Sequence, residues 1–140
     1  MSFEDFVQNF RGINVCRVRN WQETRMRGKF LKVVDSKTGY DSVVSKWYYE
    51  LVVHTEQEIF VGLHQEDERI QGVLDRRPFI DMGLAVIRVD EDTGLQLHEY
   101  IPLSKDRQVE LQSTLIPGRY IIIPRTTGGL MTFKPVKLLE

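Results

Sequence analysis

Short segments of β type follow one another along most of this 140-residue chain. They are rich in aromatic and β-branched residues or alternate apolar with polar residues, and polar or glycine-containing stretches separate them. The segments are residues 13–18, 21–34, 47–53, 59–64, 82–89, 95–103, 109–115, 120–123 and 130–139. Antiparallel strands accept such short connections, whereas parallel strands need crossovers of roughly a dozen residues, and no helical pattern lies between the segments. The sequence therefore predicts an all-β fold, an antiparallel β-sandwich of about eight strands.

A helix is predicted only at the N-terminus. Ser2 can cap it, Asp5 follows three residues later, and Gly12 is a natural stop. Its apolar face consists of Phe3, Phe6, Val7 and Phe10. A helix of about nine residues is marginal alone in water, so this stripe must pack on something. Two interpretations stay open, since the stripe can pack on the core of this domain or on a neighbouring domain.

Composition limits the function classes. The length suits one domain, and the single cysteine, Cys16, excludes an intrachain disulfide and a cysteine-rich zinc site. Nineteen Lys and Arg residues against twenty Asp and Glu residues give a net charge of -1, without the cationic excess that nucleic-acid binding uses. No apolar run approaches the roughly 20 residues of a membrane-spanning helix, and the first residues lack a secretory signal pattern. We expect a cytoplasmic protein that binds no nucleic acid.

Three connections have a distinctive composition. Residues 35–41 predict a polar, turn-rich loop, and an extension of this loop through Ser45 stays open as an alternative. Residues 65–81 form a long charged stretch, and a loop of that length in a compact domain indicates a function. Residues 90–94 predict a hairpin turn with Gly94 in the left-handed conformation.

The sequence contains no complete motif for catalysis or for tight metal binding. The stretch from Asp90 begins like an EF-hand loop, but Leu95 and Ile101 stand where a glycine and a bidentate glutamate are required. The histidines lie at unrelated spacings, at His54, His64 and His98. Cys16 lies in strand-like sequence, as a small buried hydrophobic residue does. The sequence therefore predicts no catalytic residue.

Two groups of charged residues are candidates for binding, although such groups are more often solvated surface. The basic group contains the alternating residues Arg25, Arg27 and Lys29, and it is suited to an acidic surface or to anionic lipid head groups. The acidic group offers carboxylate oxygens, which suit calcium or, as the alternative, a basic partner. Its members are Glu56, Glu58, Glu66, Asp67, Glu68, Asp90 and Asp92.

Several short motifs occur in a fixed order along nearly the whole chain. They are Met-Ser-Phe-Glu-Asp-Phe at residues 1–6, Ile-Asn-Val-Cys at 13–16, Trp21 seven residues before Gly28, Phe-Val-Gly-Leu-His-Gln at 60–65, Asp-Met-Gly-Leu-Ala-Val at 81–86, and Leu-Ile-Pro-Gly-Arg-Tyr-Ile-Ile-Ile-Pro at 115–124. In this order they resemble the third domain of the calpain large chain, the β-sandwich that follows the papain-like protease core.

The resemblance implies a non-catalytic regulatory or scaffolding domain of a calcium-dependent cysteine endopeptidase. Residues 1–12 would join an upstream protease core, with Phe3, Phe6 and Phe10 at the interface, and residues 13–140 would form the sandwich. The family's fold is similar to that of calcium- and phospholipid-binding sandwiches, which implies calcium and anionic phospholipid as candidate ligands and recruitment to membranes. None of the family's catalytic Cys, His and Asn motifs has a match in this sequence.

The sequence departs from the family pattern in three places. Only Glu56 and Glu58 stand where family members often carry a long acidic loop, and acidic residues replace the Lys- and Arg-rich stretch after Gln65. The Ala-Gly-Gly stretch expected soon after Gly28 is missing. These departures indicate a divergent member. The alternative is a stand-alone β-sandwich that binds lipid with calcium or binds another protein.

Overall fold

The computed structural model describes residues 2–9, 20–34, 37, 39–66, 78–129 and 131. Within these ranges the chain forms one helix and eight strands. The elements are α1 (Phe3–Asn9), β1 (Phe30–Val34), β2 (Asp41–Ser45), β3 (Tyr49–Val53), β4 (Gln57–His64), β5 (Met82–Asp90), β6 (Gly94–Ser104), β7 (Gln108–Leu115) and β8 (Gly118–Arg125). Among the described residues, no helix is long and apolar enough to cross a membrane.

Among the residues that the structure describes, all the strand pairs are antiparallel, and they form three sheets. One sheet has four strands in the order β3-β8-β5-β6, while β4 pairs with β7 and β1 pairs with β2. The main buried cluster draws residues from the four-stranded sheet and from β7, namely Val53, Val86, Leu111, Leu115 and Tyr120. The four-stranded sheet and the β4–β7 pair therefore enclose one core, and the predicted antiparallel all-β sandwich is confirmed.

Alternation along the strands builds this core. On β7, Val109, Leu111 and Leu115 are buried while most residues between them are exposed. Tyr120 on β8 is fully buried, and its hydroxyl donates a 2.9 Å hydrogen bond to the Ile116 carbonyl. A buried phenol needs a partner for its polar end, so this bond also fixes the β7–β8 turn.

The β1–β2 hairpin lies against the side of the four-stranded sheet that faces away from the core. Val43 of β2 lines a groove there together with Ala85 of β5 and Ile123 of β8. Gly128 follows β8 with a φ of 72°, and a Cβ at this position would meet the Val43 side chain. Only glycine permits both the backbone conformation and this close approach of the chain to β2.

The N-terminal helix begins with the predicted capping arrangement. The Asp5 amide donates to Ser2 Oγ at 3.1 Å, and the Ser2 amide donates to Asp5 Oδ2 at 3.1 Å. Two otherwise orphaned amides are thereby satisfied, as in a capping box. Within the described residues the helix continues to Asn9.

Of the other local predictions, some are confirmed and some are wrong. The left-handed Gly94 is confirmed by its φ of 82°. The single strand over residues 21–34 is wrong, because residues 20–29 have no strand partner and only Phe30–Val34 pairs, with β2. The alternative in which the 35–41 loop extends through Ser45 is also wrong, since Asp41–Ser45 is the partner strand of β1. The predicted strands at 13–18 and 130–139 lie largely or wholly outside the described residues.

Candidate functional site

The predicted acidic residues lie at two opposite ends of the sandwich. The upper end holds the β3–β4, β5–β6 and β7–β8 turns, and with them Glu56, Asp90 and Asp92. Glu66 lies at the lower end, beyond the eight residues of β4, which span about 26 Å at roughly 3.3 Å per residue. Two members of the group lie outside the described part of the chain, Asp67 and Glu68. The fold therefore does not gather the acidic residues at one place.

The acidic side chains nearest the upper end take part in local structure. Asp90 Oδ1 accepts hydrogen bonds from the Thr93 amide at 2.8 Å and the Asp92 amide at 3.0 Å. These backbone bonds hold the pKa of the Asp90 carboxyl below its ordinary value. On β4, Glu58 accepts a hydrogen bond from Gln112. Among the described residues no three or more His, Cys, Asp or Glu side chains form a group that could hold a metal ion, and the calcium site stays a prediction.

The predicted basic residues differ in their partners. Arg25 Nε donates to Glu23 Oε1 at 2.7 Å, and this bond raises the pKa of Arg25 and lowers that of Glu23. Arg27 is held differently, since its carbonyl accepts a 3.4 Å hydrogen bond from the Tyr49 hydroxyl of β3. The Arg25 charge is therefore partly compensated inside the chain, whereas the Arg27 charge is available.

Lys46 is a third cation in this region, and the pairing of the β1–β2 hairpin places it beside Lys29. The Lys46 amide donates to the Lys29 carbonyl at 2.8 Å, which continues the hairpin ladder and sets the two lysines side by side. Lys46 Nζ lies 4.6 Å from the Trp47 ring centroid, and the Tyr48 side chain beside it is exposed. Within the described ranges none of the three cations forms an ion pair. We call Arg27, Lys29 and Lys46 with Trp47 and Tyr48 the cationic patch.

The outer face of the four-stranded sheet, the face turned away from the core, is not among the surfaces that the sequence predicts. In the ladder, Ile87 of β5 pairs with Ile121 of β8 and Leu97 of β6, so these side chains form a row across three strands. Leu95 and Leu97 are each 66% exposed. The apolar members of the face are Val52, Ala85, Ile87, Val89, Leu95, Leu97, Tyr100, Ile121 and Ile123. We call this surface the outer face.

A groove lies at one side of the outer face, between β2 and strands β5 and β8. Its volume is about 400 Å³, and its walls are mostly apolar, with Val43, Val44, Ala85 and Ile123. Arg125 also lines it, and the guanidinium carbon lies 5.1 Å from the Tyr100 ring centroid. Arg125 makes no ion pair with any residue that the structure describes. The groove thus combines apolar walls with one cation that contacts the Tyr100 ring and has no ion-pair partner among the described residues.

The opposite surface of the sandwich, on β4 and β7, is polar. Its outward side chains include Glu58, Gln108, Glu110, Gln112 and Thr114. The large apolar residue on this surface is Phe60, and the Trp21 ring packs edge-on against it with centroids 4.6 Å apart. This surface therefore already has an intramolecular partner for its apolar side chain.

The half-buried side chain of Gln65 forms hydrogen bonds that close the lower end of the sandwich. Gln65 Nε2 donates to the Ile80 carbonyl at 2.9 Å and to the Asp106 carbonyl at 2.7 Å. Gln65 Oε1 accepts from the Ile80 amide at 2.9 Å, and the Gln65 amide donates to the Arg107 carbonyl at 3.0 Å. Gln65 is the last residue of the motif at residues 60–65. Its hydrogen bonds connect the end of β4 with the residues before β5 and with the β6–β7 connection.

Asp81 forms a second connection at the lower end, beside the groove. Its carboxylate accepts from the Thr126 hydroxyl at 3.1 Å and from the Thr127 amide at 3.2 Å. Thr126 is buried, and its hydroxyl oxygen accepts from the Gly128 amide at 3.0 Å. Burial raises the pKa of the Asp81 carboxyl, but the bonds from Thr127 and Thr126 outweigh burial and lower it.

The predicted phenylalanine stripe is only partly described. Phe3 is 75% exposed, and Phe6 is half-buried. Phe10 lies outside the described residues. For Phe3, the interpretation that it packs on the core of this domain is wrong.

The arrangement is that of a β-sandwich with two distinctive exterior surfaces, one apolar and one cationic. The chain is 24% identical to calpain-5 of Mus musculus over 153 residues, which cover 90% of this chain and 23% of the relative. It is also 24% identical to calpain-5 of Rattus norvegicus over 163 residues, 94% of this chain and 25% of the relative. The similarity supports a calpain-related region, and the chain spans about a quarter of the length of these curated relatives. No family model and no solved structure matches the chain.

Proposed function

We propose that this chain is a regulatory or scaffolding domain of a calpain-type calcium-dependent cysteine endopeptidase, and that it packs on the protease core of the same polypeptide. The observation that carries the proposal is the similarity to calpain-5, because it extends over 90% of this chain. The motifs quoted for the resemblance also have definite structural roles here. Gln65 connects the lower end, and Tyr120 fixes the β7–β8 turn.

The geometry suits a rigid module that positions other domains. Hydrogen bonds at Gln65 and Asp81 fix the lower end, and Tyr120 fixes a turn at the upper end. Protein interiors are close-packed and transmit strain. A displacement imposed at one end of the sandwich is therefore passed on to the other end. A domain of this kind transmits force between its neighbours without contributing a catalytic group.

The first test uses the polypeptide that contains this chain, with its reading frame extended upstream of Met1. A papain-like core with catalytic Cys, His and Asn is expected there. The Phe3→Ser/Phe6→Ser variant should lose calcium-dependent peptide hydrolysis or lose thermal stability, because the exposed stripe would no longer pack on the core. The matched control is Tyr40→Ser, which removes an exposed aromatic ring outside the stripe. Unchanged hydrolysis and unchanged stability in the double variant would contradict the proposal.

A second candidate function, recruitment to anionic phospholipid at the membrane, is favoured by the cationic patch. Lysine and arginine side chains beside exposed Trp and Tyr rings suit the charged, amphipathic surface of a bilayer. The patch lies in the two segments that flank the β1–β2 hairpin, just before β1 and between β2 and β3, away from the acidic turns of the upper end. Binding through it needs no calcium, in contrast to binding through Glu56, Asp90 and Asp92.

Co-sedimentation with phosphatidylserine-containing vesicles tests this candidate. Replacing Arg27, Lys29 and Lys46 by Glu should weaken binding on the order of a hundredfold, since each cation near the surface contributes roughly 1 kcal/mol. The control reverses three other cations, Arg25, Lys32 and Lys105, and should bind nearly as the parent chain does. Binding that disappears with a chelator would instead favour the acidic turns. Absence of binding in both conditions would exclude the candidate.

A further inference from the structure

We infer that the groove between β2 and the end of β8 binds a small molecule that carries one carboxylate on a short hydrocarbon chain. The inference goes beyond the proposed function, because it gives this chain a ligand of its own that is independent of any protease core. It is argued from the shape of the groove, from the character of its walls and from the charge beside it.

The groove is bounded on two sides and narrowed at both ends. One end is the Tyr49–Ile122 pair, where the ladder between β3 and β8 stops. At the other end, a Cβ on Gly128 would meet the Val43 side chain. Between these ends β8 keeps its pairing with β5, while β2 pairs with β1, so the described parts of β2 and β8 lie apart. Ala85 of β5 lines the gap with a small side chain.

These bounds limit the size of the ligand. Six residues separate Val43 from Tyr49, so the groove is at most about 20 Å long at roughly 3.3 Å per residue. Its volume of about 400 Å³ falls in the range of small-molecule sites, roughly 300–1,000 Å³. The walls are formed by Val43, Val44 and Ile123. A concave site with mostly apolar walls favours a ligand whose body is apolar.

The charge beside the groove selects the polar end of the ligand. Among the described residues that line the groove, the charged one is Arg125, and it forms no ion pair with any of them. Its guanidinium carbon lies 5.1 Å from the Tyr100 ring centroid. A ring contact uses the face of the guanidinium, and the N–H donors at its edge match the two oxygens of a carboxylate. Charge complementarity therefore favours an anion at this place.

The hydroxyl groups that line the groove already use their protons inside the chain. Ser45 Oγ donates to the Trp47 carbonyl at 2.6 Å, and Thr126 Oγ1 donates to Asp81 at 3.1 Å. Arg125 is thus the side chain of the groove with N–H donors to offer. A ligand with an acceptor-only end fits this arrangement better than a neutral or positively charged one.

Titration of the 140-residue chain with sodium octanoate tests the inference, followed by amide chemical shifts in proton–nitrogen correlation spectra. Octanol and the octylammonium ion are matched probes, because they carry the same alkyl chain with no charge or with a positive charge. Octanoate should shift the amides of residues 43–45 and 123–126. Its affinity should exceed that of octanol about tenfold, since a charge-assisted pair with arginine adds to the apolar contact. Octylammonium should bind most weakly.

Variants separate the charge from the apolar walls. Arg125→Gln should lower the affinity for octanoate to that for octanol, and the control Lys105→Gln, an exposed cation on the β6–β7 connection, should not. Ala85→Leu should block both ligands because the larger side chain fills the groove. Val44→Glu changes an exposed wall position, so it keeps the test open if Ala85→Leu disturbs the fold, and it should weaken octanoate binding alone.

Three outcomes would overturn the inference. The first is an absence of shifts at the groove in millimolar octanoate. The second is binding of octylammonium or octanol as tight as that of octanoate, which would remove Arg125 from ligand selection. The third is a set of shifts centred on Leu95 and Leu97, which would place octanoate on the outer face instead. The proposed function would stand in each case, because none of these measurements involves a protease core.

Discussion

Across the four-stranded sheet, the outward side chains include Ile87, Leu97 and Ile121, whereas across β4 and β7 they include Glu58, Glu110 and Gln112. Both surfaces belong to the same sandwich and enclose the same core. The β4–β7 surface has the polar exterior that a solvent-facing sheet needs, and its Phe60 is packed against Trp21. The central row of the outer face is apolar at Ile87, Leu97 and Ile121 and ends on β3 at Glu50, which forms an ion pair with Arg119.

This difference separates residues that fold the domain from residues that are suited to a partner. Leu115 and Leu97 have the same side chain, yet Leu115 is fully buried between the sheets and Leu97 is largely exposed. Burial in the isolated chain therefore explains the first leucine but not the second. A single exposed leucine needs no explanation, but Leu97 lies beside Leu95 in a contiguous apolar patch, and such patches are candidate interaction sites.

The largest expected effect compares these two leucines directly. In the 140-residue chain, Leu115→Ala should lower the free energy of unfolding by about 2–5 kcal/mol, because it removes buried apolar atoms and leaves a cavity. Leu97→Ala should change it by no more than roughly 0.5 kcal/mol, as for other exposed positions. Urea unfolding measures both. Similar losses for the two variants would mean that the outer face is already buried in the isolated chain.

An intermediate effect is expected at Gln65, which closes the lower end below both surfaces. Gln65→Leu removes the partners of the Ile80 amide and of two carbonyls, and unfolding should become easier by roughly 1–3 kcal/mol. Gln96→Leu, at an exposed position near the β5–β6 turn, is the control and should be nearly neutral. Urea unfolding again provides the measurement. A neutral Gln65 variant would show that the end is held by other contacts.

Much of the fold follows from the sequence because its signals are local. Strands such as β7 alternate apolar with polar residues, and the helix start and the Gly94 turn depend on a few adjacent residues. Residues 21–29 contradict the strand prediction because pairing depends on a distant segment, and β2 supplies a partner only from Phe30 onward. β2 itself contains turn-forming Asp and Ser residues, which hide a strand that the Val43 and Val44 contacts stabilise.

The binding surfaces were less accessible to sequence reasoning. Lys46 joins Arg27 and Lys29 only through the hairpin, so no contiguous motif announces the cationic patch. The acidic residues looked like one group along the chain, but the length of β4 separates Glu56 from Glu66. The outer face did leave a trace in the sequence. Residues 82–89 and 120–123 are apolar at nearly every position, as in strands that are covered on both sides.

A pH experiment asks how firmly the groove side of the outer face is fixed. Hydrogen bonds lower the pKa of Asp81 in the folded chain, so its stabilising contribution is present above the unfolded pKa of about 3.9 and is lost as pH falls through the lower folded value. Urea midpoints between about pH 2 and pH 6 should therefore fall less steeply with acid in Asp81→Asn than in the parent chain. The control Asp92→Asn alters an exposed turn residue that makes no hydrogen bond through its carboxylate within the described residues. If the urea midpoints of Asp81→Asn fall with acid as steeply as those of the parent chain, the hydrogen bonds of the Asp81 carboxylate do not persist in solution.

The last experiment compares the two surfaces by their affinity for an apolar dye. It uses variants that we expect to change stability least. The 140-residue chain should bind anilinonaphthalene sulfonate at the outer face, because this surface exposes contiguous leucine and aromatic side chains. Leu95→Lys/Leu97→Lys should reduce the dye fluorescence severalfold with a change in unfolding free energy within roughly 0.5 kcal/mol. The matched control, Gln108→Lys/Thr114→Lys on the β4–β7 surface, adds the same two positive charges at exposed positions and should leave the dye signal nearly unchanged. Equal loss from both double variants would attribute the signal to charge rather than to the apolar face, and the contrast between the two surfaces would then not hold in solution.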